Sequence, residues 1–382
     1  MKLKTVGQCA FGSLLAIIVI LAGATIVEKF YGSGIAYEKI YGAWWIILVW
    51  MFLIITSLTY IIGKWQARPP MNRIAFLFHI SFVIILLGAF VTYLTAERGY
   101  VHIRQGEIAN YYTSEEDSVK RSLPFHVKLV LFDIEYHSGT SDPADFISFL
   151  KIDDEIVRVS MNKIYKGKGY RLYQLSYDSD EMGTTLLVNY DPWGTGITYF
   201  GYLLLAVTML LLLLCRIGWK GLIAIIIPTA LLWYYVSQIN PMTPILRSPM
   251  LAAHVSVIMI AYISLLIVMI LGIIGLSSEK RRAKMYRWNT FLLYPALFLL
   301  AAGIFIGAVW ANISWGRYWG WDAKETWALI TLLVYAFPFH RKSLPLFRKQ
   351  ENFLLFCVFA FLTILMTFFG VSYFLGGIHS YL

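Results

Sequence analysis

Runs of about twenty apolar residues recur along this chain, and such a run leaves the backbone few options. In hydrocarbon every N–H and C=O must find its partner within the protein, which restricts a crossing segment to a helix or a strand of a closed barrel. The runs at 44–63, 74–95, 197–215, 251–276, 289–309 and 353–375 are continuous rather than alternating, so they read as helices. Weaker runs at 10–27, at 221–237 and from about 323 to 340 bring the expected total to nine. Composition agrees: 59% of 382 residues are hydrophobic, 14% are charged, and the mean hydropathy is +0.65. The sequence predicts a polytopic α-helical membrane protein of about nine transmembrane helices.

One region breaks the pattern. Residues 96–196 hold short alternating runs such as HVKLVLFDIEY, EIVRVSMNKIY and TTLLVNY between Gly, Asp and Ser clusters, which predicts a small extracytoplasmic β-rich domain. That region carries 11 Lys/Arg against 16 Asp/Glu, leaving 21 against 6 elsewhere. The net charge of +10 therefore belongs to the short connections between spans, which argues for a lipid bilayer and against a nucleic-acid partner. Nine spans with the N-terminus inside place 16 Lys/Arg in short inner segments, with Lys280, Arg281, Arg282, Lys284 and Arg287 as the densest group, and 5 in outer ones. The division expected is three helices over 1–95, the β-rich domain over 96–196, two helices and an outer loop over 197–250, and a helical domain over 251–382. Ala22 and Ala24 also give the first run an A-x-A match to a signal-peptide cleavage site, and retention as an anchor is the expectation adopted.

Cys9, Cys215 and Cys357 are isolated, with no CxxC pair and no CxxCH haem-attachment motif. Four of the seven histidines fall at membrane helices, in two layers. His79 and His340 lie at the inner depth, and His254 and His379 lie at the outer depth. An imidazole in hydrocarbon needs a carbonyl partner or a ligand, and two of them on different helices at one depth suit the two axial positions of a haem iron.

Residues 310–327, WANISWGRYWGWDAKETW, put Trp310, Trp315, Trp319, Trp321 and Trp327 into one short connector with Tyr318, Gly316 and Gly320. Indoles between membrane helices serve as interfacial anchors. Five of them beside bending glycines also suit a flat aromatic platform for a large planar ligand. Asp322 followed by Glu325 reads either as a helix capping box or as a contact to ligand. Arg317 and Lys324 are donors for carboxylates of the ligand, or solvated loop charges.

The stretch WGRYWGWDAKETWALITLLVYAFPFH resembles the tryptophan-rich signature of the WWD haem-handling family of cytochrome c biogenesis, in its System II cytochrome c synthetase branch. Ala323 stands where that family usually has Pro. VSMNKIYKGKGYRLYQLSYD and DPWGTGITYFGYLLL resemble the ResB-like partner, which implies a fused ResB-like and ResC/CcsA-like chain. The resemblance implies that SPMLAAHVSVIMIAY and GVSYFLGGIHSY carry the outer haem ligands His254 and His379. It likewise makes FLFHISF and YAFPFH the carriers of the embedded ligands His79 and His340.

It further implies a holocytochrome c synthase of a bacterial cytoplasmic membrane, with the Trp loop and C-terminus outside. Such a protein exports non-covalent haem b and presents it for thioether attachment to the CxxCH cysteines of an apocytochrome c, with a thiol-reducing protein as a further partner. His254, His379, Trp319, Trp321 and Asp322 are the expected catalytic set, and Trp315, Trp319, Trp321 and Arg317 join the four histidines in binding haem. Two other functions fit the same features: a haem transporter or chaperone without covalent chemistry, and a bis-histidine b-type electron-transfer cytochrome.

Overall fold

A computed structural model of the chain describes residues 3–67, 71–239 and 248–375. It opens with α1 (Leu3–Tyr31), a four-residue helix α2 (Ser33–Ala36) and a π-helical turn Tyr37–Tyr41, followed by α3 (Trp44–Gln66) and α4 (Arg73–Thr95). Asn72 caps α4 by accepting the Ile74 N–H at 2.8 Å. After eight strands come α5 (Gly194–Gln238), α6 (Pro249–Leu276), α7 (Glu279–Trp315), α8 (Ala323–Ala336) and α9 (Gln350–Leu365), the last continuing as a π-helix over Met366–Leu375.

Seven of these helices are long and apolar enough to cross a membrane: α1, α3, α4, α5, α6, α7 and α9 with its π-helical continuation. The protein is a helical membrane protein. The two runs expected at 197–215 and 221–237 lie in the single 45-residue element α5, which breaks at Gly218, where φ 65° and ψ −178° suit only glycine. The run from 323 becomes α8, whose 14 residues rise only about 21 Å. It stops there because Pro338 lacks the N–H the next turn needs, and a 3₁₀ turn over Phe337–His340 takes over.

Residues 97–190 form one eight-stranded antiparallel sheet in the order β5-β4-β3-β2-β1-β8-β7-β6. The strands are β1 (Glu97–Arg104), β2 (Ile108–Ser114), β3 (Lys120–Tyr136), β4 (Pro143–Ile152), β5 (Glu155–Ser160), β6 (Tyr165–Gly167), β7 (Tyr170–Tyr177) and β8 (Gly183–Tyr190). Alternation sets the faces: Leu123, Phe125, Val127 and Leu129 of β3 are buried while Ser122, Pro124 and His126 are exposed. A bulge after Leu129 leaves Val130 and Leu131 both outward and moves burial to Phe132. The sheet curls on itself, since the Ser148 hydroxyl of β4 lies within hydrogen-bond distance of Gln174 Oε1 of β7 (2.7 Å) and of the Thr184 hydroxyl of β8 (3.0 Å). Its inward face packs Val101, Leu129, Leu150, Val159, Leu172 and Val188.

The helices hold a separate apolar core from α5 through α9, with Leu265, Leu300, Tyr335, Leu354 and Cys357 fully buried. A third cluster joins Ile17, Leu21 and Ala24 of α1 to Tyr41 and to Ile330 of α8. The α4–α5 pair is packed backbone to backbone: a Cβ on Gly88 would fall 2.7 Å from the Thr198 nitrogen. That contact fixes the helix that carries His79.

Candidate functional site

His79 lies in the second turn of α4 and His340 ends the 3₁₀ turn after α8, so they come from segments more than 250 residues apart. Their rings stand 6.0 Å apart, centroid to centroid, at 78°. Each Nδ1 meets the carbonyl four residues earlier: Ala75 at 2.6 Å for His79 and Ala336 at 3.0 Å for His340. A carbonyl only accepts, so both Nδ1 atoms carry the proton, which in a neutral ring leaves the lone pair on Nε2. Two imidazoles that each bring a nitrogen about 2 Å from one metal ion have centroids about 6 Å apart. The Nδ1 ties and the ring separation are those that two imidazoles on opposite sides of one metal ion would need, with the backbone carbonyls orienting the rings. Phe11 of α1 meets His340 edge to face at 5.2 Å, so α1 walls this site.

His254 is in the second turn of α6 and also donates through Nδ1, to the Gly303 carbonyl of α7 at 2.7 Å. Its ring lies against Gly307, where an added Cβ would come within 2.6 Å of Nδ1. Gly303 and Gly307 form a GxxxG pair that lets the two helices close on each other. His379, the expected partner of His254, lies outside the described residues.

The Trp segment does not form one flat surface. Trp310 and Trp315 meet edge to face (4.9 Å, 62°), and so do Trp319 and Trp321 (6.1 Å, 79°). Perpendicular contacts satisfy the ring quadrupoles, which face-to-face stacking of identical indoles does not. Trp321 instead stacks flat on Tyr41 (4.9 Å, 13°), and the Trp327 N–H donates to Thr25 of α1 at 3.2 Å. The loop is thereby held on the turn at Tyr41, and α8 on the first helix.

Its two bends also differ from the expectation. Gly316 takes the left-handed conformation (φ 71°) that ends α7, but the second left-handed residue is Trp321 (φ 56°) and not Gly320. A bulky residue there costs about 1–3 kcal/mol, offset here by the Tyr41 stack. Gly320 stays outside that region, its N–H donating to Glu325 Oε2 at 2.7 Å and its open face covered by the Arg317 guanidinium.

Asp322 is the N-cap of α8 and accepts the Lys324 N–H at 2.9 Å. Glu325 reaches past the cap to Gly320, so the two carboxylates secure both sides of the loop-to-helix junction. Ala323 is the first helical residue and is buried. Lys324 Nζ donates to Ser372 of the π-helix at 3.4 Å. Burial and the neighbouring Tyr199 push the Tyr318 phenol well above its ordinary range, so it remains a neutral donor, here to the Thr195 carbonyl at 3.5 Å.

Sequence reasoning missed Phe11, Tyr41 and the glycine pair Gly303/Gly307. The glycines were legible as GxxxG. The two aromatics carry no local signal, because their roles arise only when α1 packs against α8.

Residues 185–379, just over half of the chain, match the family described as Cytochrome C assembly protein, and residues 71–213 match the ResB-like family. Protein NrfI of Wolinella succinogenes is 38% identical over 162 residues, covering 38% of this chain and 18% of the relative. Cytochrome c biogenesis protein CcsA of Chlamydomonas reinhardtii is 36% identical over 157 residues, covering 38% and 44%, and CcsA of Guillardia theta is 33% identical over 171 residues, covering 37% and 56%. The chain thus spans 18% to 56% of the length of these relatives.

Proposed function

This chain belongs to the cytochrome c assembly family, joined to a ResB-like segment, and we propose that it is a holocytochrome c synthase that also carries its haem across the membrane. Haem b is the cargo. It enters at His79 and His340 in the inner leaflet and moves to His254 and His379 at the outer face, where Trp315, Trp319, Trp321 and Arg317 receive it. The chain crosses a bacterial cytoplasmic membrane nine times, α5 counting twice and α8 once, with the N-terminus inside and the Trp loop, sheet and C-terminus outside.

The observation that carries this reading is the His79–His340 pair: two rings 6.0 Å apart, each with Nδ1 tied to a carbonyl. His254 is likewise tied through Nδ1 to a carbonyl, here across from α6 to Gly303 of α7. Both are arrangements for holding iron reversibly, in a chain with no CxxCH of its own.

At the outer site the chemistry is an addition. A cysteine S–H of the apocytochrome CxxCH adds across a haem vinyl group, sulfur to one carbon and hydrogen to the other, so nothing leaves and no oxidant is consumed. The thiols must arrive reduced, which calls for a thiol-reducing partner. The protein's part is to fix the haem plane beside the incoming peptide, with Asp322 holding the start of α8 and the loop before it. Positioning of that kind replaces a bimolecular encounter and supplies most of the acceleration.

Mass spectrometry of a CxxCH peptide co-expressed with the full chain tests the proposal. A mass increase of one haem, lost when the peptide carries SxxSH, is the expected result. Haem bound by the protein with no adduct on the peptide would leave a carrier without covalent chemistry.

A further inference from the structure

The strands present a row of polar side chains to the end of α7. Arg98, Asn189 and Arg171 lie opposite one another across β1, β8 and β7, on the face turned away from the sheet's own core. Tyr173 is two residues along from Arg171 on the same face. All four bond to the C-terminal end of α7, at Asn312 or at its C-cap Gly316. Arg171 Nη1 donates to Asn312 Oδ1 (3.0 Å) while its Nη2 donates to Thr195 of α5 (2.8 Å). The Tyr173 hydroxyl donates to the Asn312 carbonyl (3.3 Å), and Asn189 Nδ2 and Arg98 Nη2 donate to the Gly316 carbonyl (2.5 and 3.5 Å).

The last carbonyls of a helix lack intrahelical partners, and most helices give them to water or to a local cap. Here the sheet takes that of Gly316, and Tyr173 adds a second donor to the Asn312 carbonyl, which also accepts the Gly316 N–H at 3.1 Å. Tyr173, Asn189 and Asn312 are 2–3% exposed, so the contact is dry, and burial keeps the Tyr173 phenol protonated above its ordinary range. Gly316 leaves no slack: a Cβ on it would lie 2.9 Å from the Tyr173 ring and 3.0 Å from Asn189 Nδ2. The direction in which the chain leaves α7, toward Arg317, Trp319 and Trp321, is therefore set by three neighbouring strands.

We propose that Arg171, Tyr173 and Asn189 are positioning residues that aim the Trp loop, so that the sheet governs haem attachment while leaving haem entry alone. The inference rests on the function proposed above. Asn189→Asp keeps the size of the side chain and replaces the donor facing the Gly316 carbonyl with a carboxylate. Gly316→Ala attacks the same joint from the loop side and alters no strand residue. In each variant of the full chain, amide exchange over residues 316–322 should rise about tenfold or more, with the amides of 97–190 unchanged. Thioether yield on a CxxCH peptide should fall by about ten- to a hundredfold per bound haem, with the His79/His340 haem spectrum intact.

Loop exchange at the wild-type rate in both variants overturns the joint, and so does a freed loop with full thioether yield. Should Asn189→Asp loosen the sheet itself, Gly316→Ala decides alone. A wild-type chain that makes no thioether would remove the proposed function instead, and the exchange data would still decide whether the strands hold the loop.

Discussion

Asp322 shows how one side chain carries two readings that differ in what a substitution does. As the N-cap of α8 it accepts the Lys324 N–H at 2.9 Å, a bond that Asn replaces and Ala does not. Asp322→Ala should therefore lower stability by about 1 kcal/mol, read as a drop in the thermal midpoint in detergent. Asp322→Asn should restore most of it, with haem content close to wild type. Equal haem loss in Asn and Ala variants at unchanged stability would assign the carboxylate to ligand contact. Trp321 is a residue of the opposite kind: its left-handed backbone is unfavourable by itself and persists because Tyr41 stacks on the indole.

Among the elements, the α6–α7 crossing is where packing and the proposed outer site are the same thing. Gly303 gives its carbonyl to His254, and Gly307 gives the space in which the ring lies. Gly307→Ala puts a methyl group 2.6 Å from the present Nδ1 position, so the imidazole must turn or the helices must part. Overpacking of this type destabilises by about 1–3 kcal/mol. The expected signature is a changed visible spectrum of the outer-site haem, present before any peptide is added. An unchanged spectrum in a folded Gly307→Ala protein would mean that the ring's seat does not set its ligation.

Across the whole molecule, the inner pair ties the ResB-like match to the cytochrome c assembly match. His79 lies only in residues 71–213 and His340 only in residues 185–379. If both imidazoles serve one iron, losing either leaves a weakly held haem, and losing the second adds little. His79→Ala and His340→Ala should each remove most inner-site haem, and the double variant should match the singles within about twofold. Additive losses, measured as haem per protein by pyridine hemochrome, would instead describe two independent sites.

Much of this architecture was written in local pattern. Continuous apolar runs dictate helices because hydrocarbon offers the backbone no other partner, and the period-two runs of 96–196 dictate strands. The histidines and the Trp signature were likewise visible without coordinates. Contacts between distant segments were not. Five tryptophans in one connector suggested a plane, yet edge-to-face pairing and the Tyr41 stack turn the rings apart. Alternation along β7 and β8 put Arg171 and Asn189 on one face, but not which helix end would cover it. Phe11 reaches His340 only through the packing of α1. Sequence by itself determined the elements and the chemical inventory, since those follow from each residue's own preference for lipid, water or iron. Tertiary structure alone decided which strand side chains meet the end of α7 and how the indoles face one another, because those depend on side chains far apart in sequence meeting within a few ångströms.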